Sequence, residues 1–111
     1  MPYTITYYSE EVQVSVLGLP TGVLADYLRL ADLLEEFGPV LRMPHSRAMG
    51  DGLFELRPKG REGIGRVFYC FLIGQRVVVL HSFVKKTQEI PRRELNLALS
   101  RMQEVKNAFT R

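Results

Sequence analysis

Residues 51–88 carry Arg57, Lys59, Arg61, Arg66, Arg76, Lys85 and Lys86 against only Asp51, Glu55 and Glu62. Such a density of cationic side chains suits a polyanion, and it can also run RNA strand scission without a metal. In that reaction the 2′-hydroxyl loses a proton and attacks the adjacent phosphorus, and the 5′-oxygen leaves with a proton. Arginines stabilise the extra negative charge on the phosphorane, and their bidentate geometry orients it. A lysine serves as acid or base only where neighbouring cations lower its pKa, a condition open to crowded Arg57, Lys59, Arg66 and Lys85. The competing reading of the same residues is a solvated sheet face with no chemistry of its own.

Other chemistries find less support. Two histidines, His45 and His81, and one cysteine, Cys70, occur without an HExxH or CxxC pattern, so no metal-ligand set and no cofactor is expected. The glycines of GREGIGR are followed by no Gly-Lys-Ser/Thr and open no helix, so a hairpin turn is expected there rather than a phosphate loop. No nucleophile motif surrounds Ser46, Ser82 or Cys70.

The elements that must position the cations follow from periodicity. Residues 51–88 alternate apolar and polar, broken by glycine-containing turns, which predicts an antiparallel meander of Leu53–Pro58, Ile64–Ile73 and Arg76–Lys85. Strand parity puts Phe54 and Leu56 on one face and Glu55 and Arg57 on the other. It sets Val67, Tyr69 and Phe71 opposite Arg66, Phe68 and Cys70, and Val78, Leu80 and Val84 opposite Val79, His81, Phe83 and Lys85. With helices on the first face, Arg57, Arg66, His81 and Lys85 converge on an open one.

Upstream, Tyr3–Tyr8 reads as a further strand, and Thr21–Phe37 as a helix with Leu24, Tyr27, Leu28, Ala31 and Leu34 on one stripe, widened by Val23, Leu30 and Phe37. Gly38-Pro39 stops it. Glu10–Leu17 stays open: Ser9-Glu10-Glu11 looks like a capped helix start, whereas Val12, Val14 and Val16 alternate as in a strand. Val40–Gly50 reads as a loop carrying Arg42, His45 and Arg47, and Pro91–Phe109 as a closing helix with Leu95, Ala98, Leu99, Met102, Val105 and Phe109 at helical spacing.

A chain of 111 residues makes one domain, 1–111, with a single core of modest margin. The net charge of +3 is unevenly spread: −3 over residues 1–50, +5 over 51–93 and +1 over 94–111. Positive charge is therefore local, as on an anion-binding surface. No apolar run approaches the roughly 20 residues of a membrane span, and no signal peptide is evident. A lone cysteine fits a reducing cytoplasm.

The strings GDGLFELRPKGREGIGRVFY and VVVLHSFVKKTQ, with the EEFGP helix end, Pro44-His45 and a proline-started last helix, resemble the RelE/HigB-type toxins of bacterial toxin–antitoxin pairs. The branch they resemble is the phage-derived Gp49-like one. The resemblance implies an α+β, RelE/ParE-like fold, a small antiparallel sheet with two N-terminal helices and one C-terminal helix, and so makes Glu10–Leu17 helical. It also implies a ribosome-dependent mRNA endonuclease held inactive by an antitoxin, commonly a helix-turn-helix protein through which operator DNA is bound indirectly. Family sites built from basic strand residues fall here on Arg57, Arg66 and Lys85 as catalytic groups. Lys59, Arg61, His81, Lys86 and Gln88 are then expected to contact RNA. Two departures stand out: Gly65 replaces a bulky residue before Arg66, and Ile90 replaces a threonine cap before Pro91. The competing functions are a ParE-like gyrase inhibitor without nuclease activity and a non-toxic nucleic-acid-binding module.

Overall fold

In the structure of the protein, a computed structural model that describes residues 2–85 and 90–109, the basic stretch forms the middle of the sheet. β3 (Leu53–Leu56), β5 (Gly63–Leu72) and β6 (Arg76–Lys85) make the expected antiparallel meander. Gly74 and Gln75 take positive φ, 88° and 58°, and so close the tight β5–β6 turn. β1 (Thr4–Tyr7) lies beside β6 in parallel, β2 (Ser46–Gly50) pairs with β3, and the short β4 (Lys59–Gly60) pairs with the start of β5. The strand order is β1-β6-β5-β3-β2. The sheet is therefore mixed rather than wholly antiparallel, because two helices, not a hairpin, carry the chain away from β1.

Those helices are α1 (Glu10–Leu17) and α2 (Thr21–Phe37). Ser9 Oγ accepts the Val12 amide at 3.2 Å, so the cap wins over the valine alternation. Helical spacing then buries Val12 and Val16, four residues apart, and leaves Val14 exposed. On α2 the buried stripe is Val23, Tyr27, Leu30 and Leu34. Leu28 and Phe37, expected on that stripe, are exposed; Leu28 follows Tyr27 and so points about 100° away. α1 and α2 cover one face of the sheet through Leu56, Val67, Tyr69, Val77 and Val79.

α3 (Arg92–Phe109) covers much of the other face, where Ala98 and Met102 are buried in a second core with Leu53, Phe68, Cys70, Val78 and Leu80. The face expected to be open is thus half roofed.

A bulge re-phases β6. Phe68 pairs with His81 but Tyr69 pairs with Val79, so Leu80 is the extra residue. Leu80 is buried in the α3-side core, and His81, its neighbour, also meets α3 through Glu94. Strict alternation had put them on opposite faces. Beyond the bulge Ser82 turns to α1, with its Oγ 3.1 Å from Ser15 Oγ. Arg101 of α3 donates to the Leu80 carbonyl at 2.8 Å and lies over the Tyr8 ring, 4.9 Å from its centroid.

The β4–β5 turn is pinned to the start of α2. Glu62 Oε2 accepts the Gly22 amide at 3.1 Å, and that bond draws the Glu62 carboxyl below the usual range. A Cβ at Gly60 would stand 2.4 Å from Val23 N and 2.5 Å from Gly22 C, both backbone atoms that cannot yield. Gly60→Ala is therefore expected to cost at least about 1–3 kcal/mol, read as a lowered denaturation midpoint; an unchanged midpoint would show that the turn and α2 can separate freely. Gly65 is similarly confined: its Cβ would come within 2.9 Å of Val23 Cγ1 and 3.1 Å of Pro58 Cγ. Gly65 thus sits where this chain has no room for a side chain.

Candidate functional site

The cations of the sheet gather around one acid. Glu55, on β3, faces Arg47 on β2 in the strand register, Arg57 follows two residues later, and Arg66 comes from β5. Arg47 Nη2 and Arg57 Nε stand 3.6 and 3.9 Å from Glu55 Oε1, and Arg66 Nε stands 3.8 Å from Oε2. These are ion pairs, but too long for hydrogen bonds. The side chains are graded from inside to outside: Glu55 is 0% exposed, Arg66 4%, Arg57 20% and Arg47 43%.

Two consequences follow from this geometry. Both Glu55 carboxylate oxygens, Arg57 Nε, and Arg66 Nε and Nη1 are buried without a hydrogen-bond partner among the described residues. These buried donors face the Glu55 carboxylate, and the parts of the cluster open to an incoming phosphate oxygen are the partly exposed Arg57 and Arg47. Burial also pulls the Arg66 pKa below its ordinary value; Glu55 opposes the shift, while Arg57 and Arg47 reinforce it. The cluster carries three guanidiniums against one carboxylate, so a net positive charge remains at the β2–β3 side of the sheet.

The residues predicted from sequence do not all converge here. Arg57 and Arg66 do. Arg66, however, is buried beside Glu55 rather than displayed on an open face, which corrects the parity argument. His81 is held elsewhere, with Nε2 3.0 Å from Glu94 Oε2 and its ring stacked on Phe83 at 5.7 Å. Lys85 ends β6, paired in register with Ile64. Lys59 is exposed on β4, and Arg61 is exposed in the turn that follows. Lys86 and Gln88 lie outside the described residues.

Sequence reasoning missed Arg47 by reading residues 40–50 as loop, and it read Glu55 as a minor counter-charge rather than the centre. A signal for β2 was present in Gly50-Asp51-Gly52, all at positive φ (96°, 57° and 88°), which closes the β2–β3 hairpin.

Asp26 on α2 organises a neighbouring cavity. Its Oδ2 accepts the Lys59 backbone amide at 2.7 Å and its Oδ1 meets Arg29 Nε at 2.8 Å. Burial pushes the Asp26 carboxyl upward, but the Lys59 amide, Arg29 and His45 outweigh it and leave its pKa below the usual value. A depressed folded pKa means that this carboxylate stabilises the fold above the ordinary aspartate pKa, and that the contribution is lost as pH falls through the folded one. The Lys59 amide proton shift should accordingly titrate with a midpoint below that of an unperturbed aspartate, and Asp26→Asn should abolish the step. A midpoint at or above the ordinary value would count against the contact.

The fold just described is that of the RelE-like proteins. A chain of the archaeal RelE–RelB complex from Pyrococcus horikoshii OT3 superimposes with a TM-score of 0.53 at 23% identity, over 76% of this chain and 96% of that one. No curated protein sequence matches. Residues 15–103 match the family described as Phage derived protein Gp49-like (DUF891). The chain belongs to that family, a RelE-like family of toxins from toxin–antitoxin systems.

Proposed function

We propose that this toxin is a ribosome-dependent mRNA endonuclease, restrained by a cognate antitoxin. The observation that carries the reading is the cluster of Arg47, Arg57 and Arg66 within 4 Å of one buried carboxylate, with Arg47 and Arg57 partly exposed. Arg57 and Arg47, the two partly exposed members, reach the scissile phosphate first. Arg66 supports them from behind with a charge that strengthens the contact as the phosphorane forms. Lys85, at the end of β6, is the third residue assigned to catalysis on this reading. The antitoxin follows from the RelE–RelB pairing of the structural relative, and the proposal has it cover this face in the resting complex.

The cluster provides electrostatic stabilisation but no ready acid–base pair, so the ribosome is needed to orient the message. Purified protein should barely cut naked RNA and should cut the same message when it is translated. Efficient cleavage of protein-free RNA at stoichiometric enzyme would remove the ribosome from the mechanism.

One observation favours a second reading. Glu55 neutralises one of the three arginines and Arg66 is almost fully buried. A sheet face whose innermost arginine is engaged by a buried carboxylate also suits a ParE-like toxin that inhibits gyrase by binding alone. Pulse-labelling after induction separates the two: translation collapses first for the nuclease, DNA synthesis first for the gyrase poison.

A further inference from the structure

We infer that the small cavity between α2, the loop before β2 and the start of β4 is a second anion subsite, taking a phosphate of single-stranded RNA next to the one met by the Glu55-centred arginines. The identity of the ligand rests on the nuclease reading above; the subsite itself rests on geometry.

The cavity encloses about 110 Å³ and presents Arg29, His45, Arg57 and Lys59 against one carboxylate, Asp26. That volume is well below the roughly 300–1,000 Å³ of small-molecule pockets, so it suits a tetrahedral oxyanion and not a nucleobase with its sugar. Asp26 is already engaged on both oxygens, by Arg29 Nε and by the Lys59 backbone amide. It neutralises one cation and fixes the backbone of Lys59 against α2. Lys59, Arg57 and His45 remain as the other basic residues of the lining.

Arg57 belongs to both sites. It stands 3.9 Å from Glu55 in the arginine cluster, and the residue also contributes to the cavity wall. A strand laid across Arg57 therefore meets positive charge on either side, which is how a protein tracks a phosphate backbone. The RNA contact predicted for Lys59 from sequence thereby gains specific partners in Arg29 and His45.

Lys59→Gln tests this cleanly, because the Lys59 bond to Asp26 comes from the backbone and survives the change, and the side chain is exposed. The intact chain is titrated first with inorganic phosphate, followed by NMR, and then with an oligoribonucleotide at several salt concentrations. Phosphate is expected to shift the His45 ring and Lys59 signals saturably, and Lys59→Gln to weaken that binding. The slope of log affinity against log salt should flatten by about 0.7, the value for one single-strand phosphate contact, and Lys59→Arg should restore it. On translated message Lys59→Gln should raise KM more than it lowers kcat.

Shifts confined to residues outside the cavity, with an unchanged salt slope, overturn the subsite even if the wild-type chain cuts message. Saturable shifts at His45 and Lys59 with the expected change of slope, in a chain that cuts no message on ribosomes, support the subsite and overturn the nuclease reading instead.

Discussion

Arg66→Ala is expected to abolish growth arrest and to lower cleavage of translated message by about 10²–10³, the loss seen when one preorganised donor to a developing anion is removed. The buried position of Arg66 adds a second effect. Removing it leaves the fully buried Glu55 with Arg47 and Arg57 as its ion-pair partners among the described residues. Breaking an isolated buried pair costs about 3–5 kcal/mol, and the two remaining arginines should hold the loss below that range. Single-turnover cleavage and denaturation must therefore be measured on the same preparation, at a temperature where the variant is still folded. Arg66→Lys separates the two contributions. It keeps the charge beside Glu55, so most of the stability should return, but a point charge does not reproduce the planar fork and turnover should recover only weakly. Growth arrest from Arg66→Ala at wild-type protein level would make Arg66 structural and would leave phosphate binding to Arg57 and Arg47.

The part of the fold legible in the sequence is the part set by local pattern. Thr21–Phe37 has matching periodicity and a Gly-Pro stop, and its bounds are those observed. The three meander strands are fixed by alternation between glycine turns, and β6 runs from Arg76 to Lys85 as read. What was missed depends on contacts between distant segments. Ser46–Gly50, SRAMG, has little strand propensity and becomes β2 only because the Gly-Asp-Gly turn folds it onto β3. The bulge at Leu80 leaves no mark in a run of valines, yet it decides that His81 faces α3 and its Glu94 instead of lying opposite Leu80. Periodicity correctly gave Glu55 and Arg57 a common face. It could not tell that Glu55 is buried there deeply enough to become the hub of the cations.

Glu55 carries the largest expected effect on stability. Its carboxylate is fully buried, and the three guanidiniums around it would face one another without it. Glu55→Ala should therefore cost about 3–5 kcal/mol, a large share of the roughly 5–15 kcal/mol that holds a domain of this size together. Glu55→Gln keeps the shape and removes only the charge, so most of the loss should persist if electrostatics is the cause; recovery of nearly all of it would assign the effect to packing. A double-mutant cycle completes the argument. In a Glu55→Leu background Arg66→Met should cost little or even stabilise, because the pair is then replaced by apolar groups rather than broken. The two substitutions should thus be strongly non-additive. Additive effects, or a loss from Glu55→Ala under about 1 kcal/mol as for an exposed pair, would mean that the arginines are placed by their own strands and that Glu55 does not gather them.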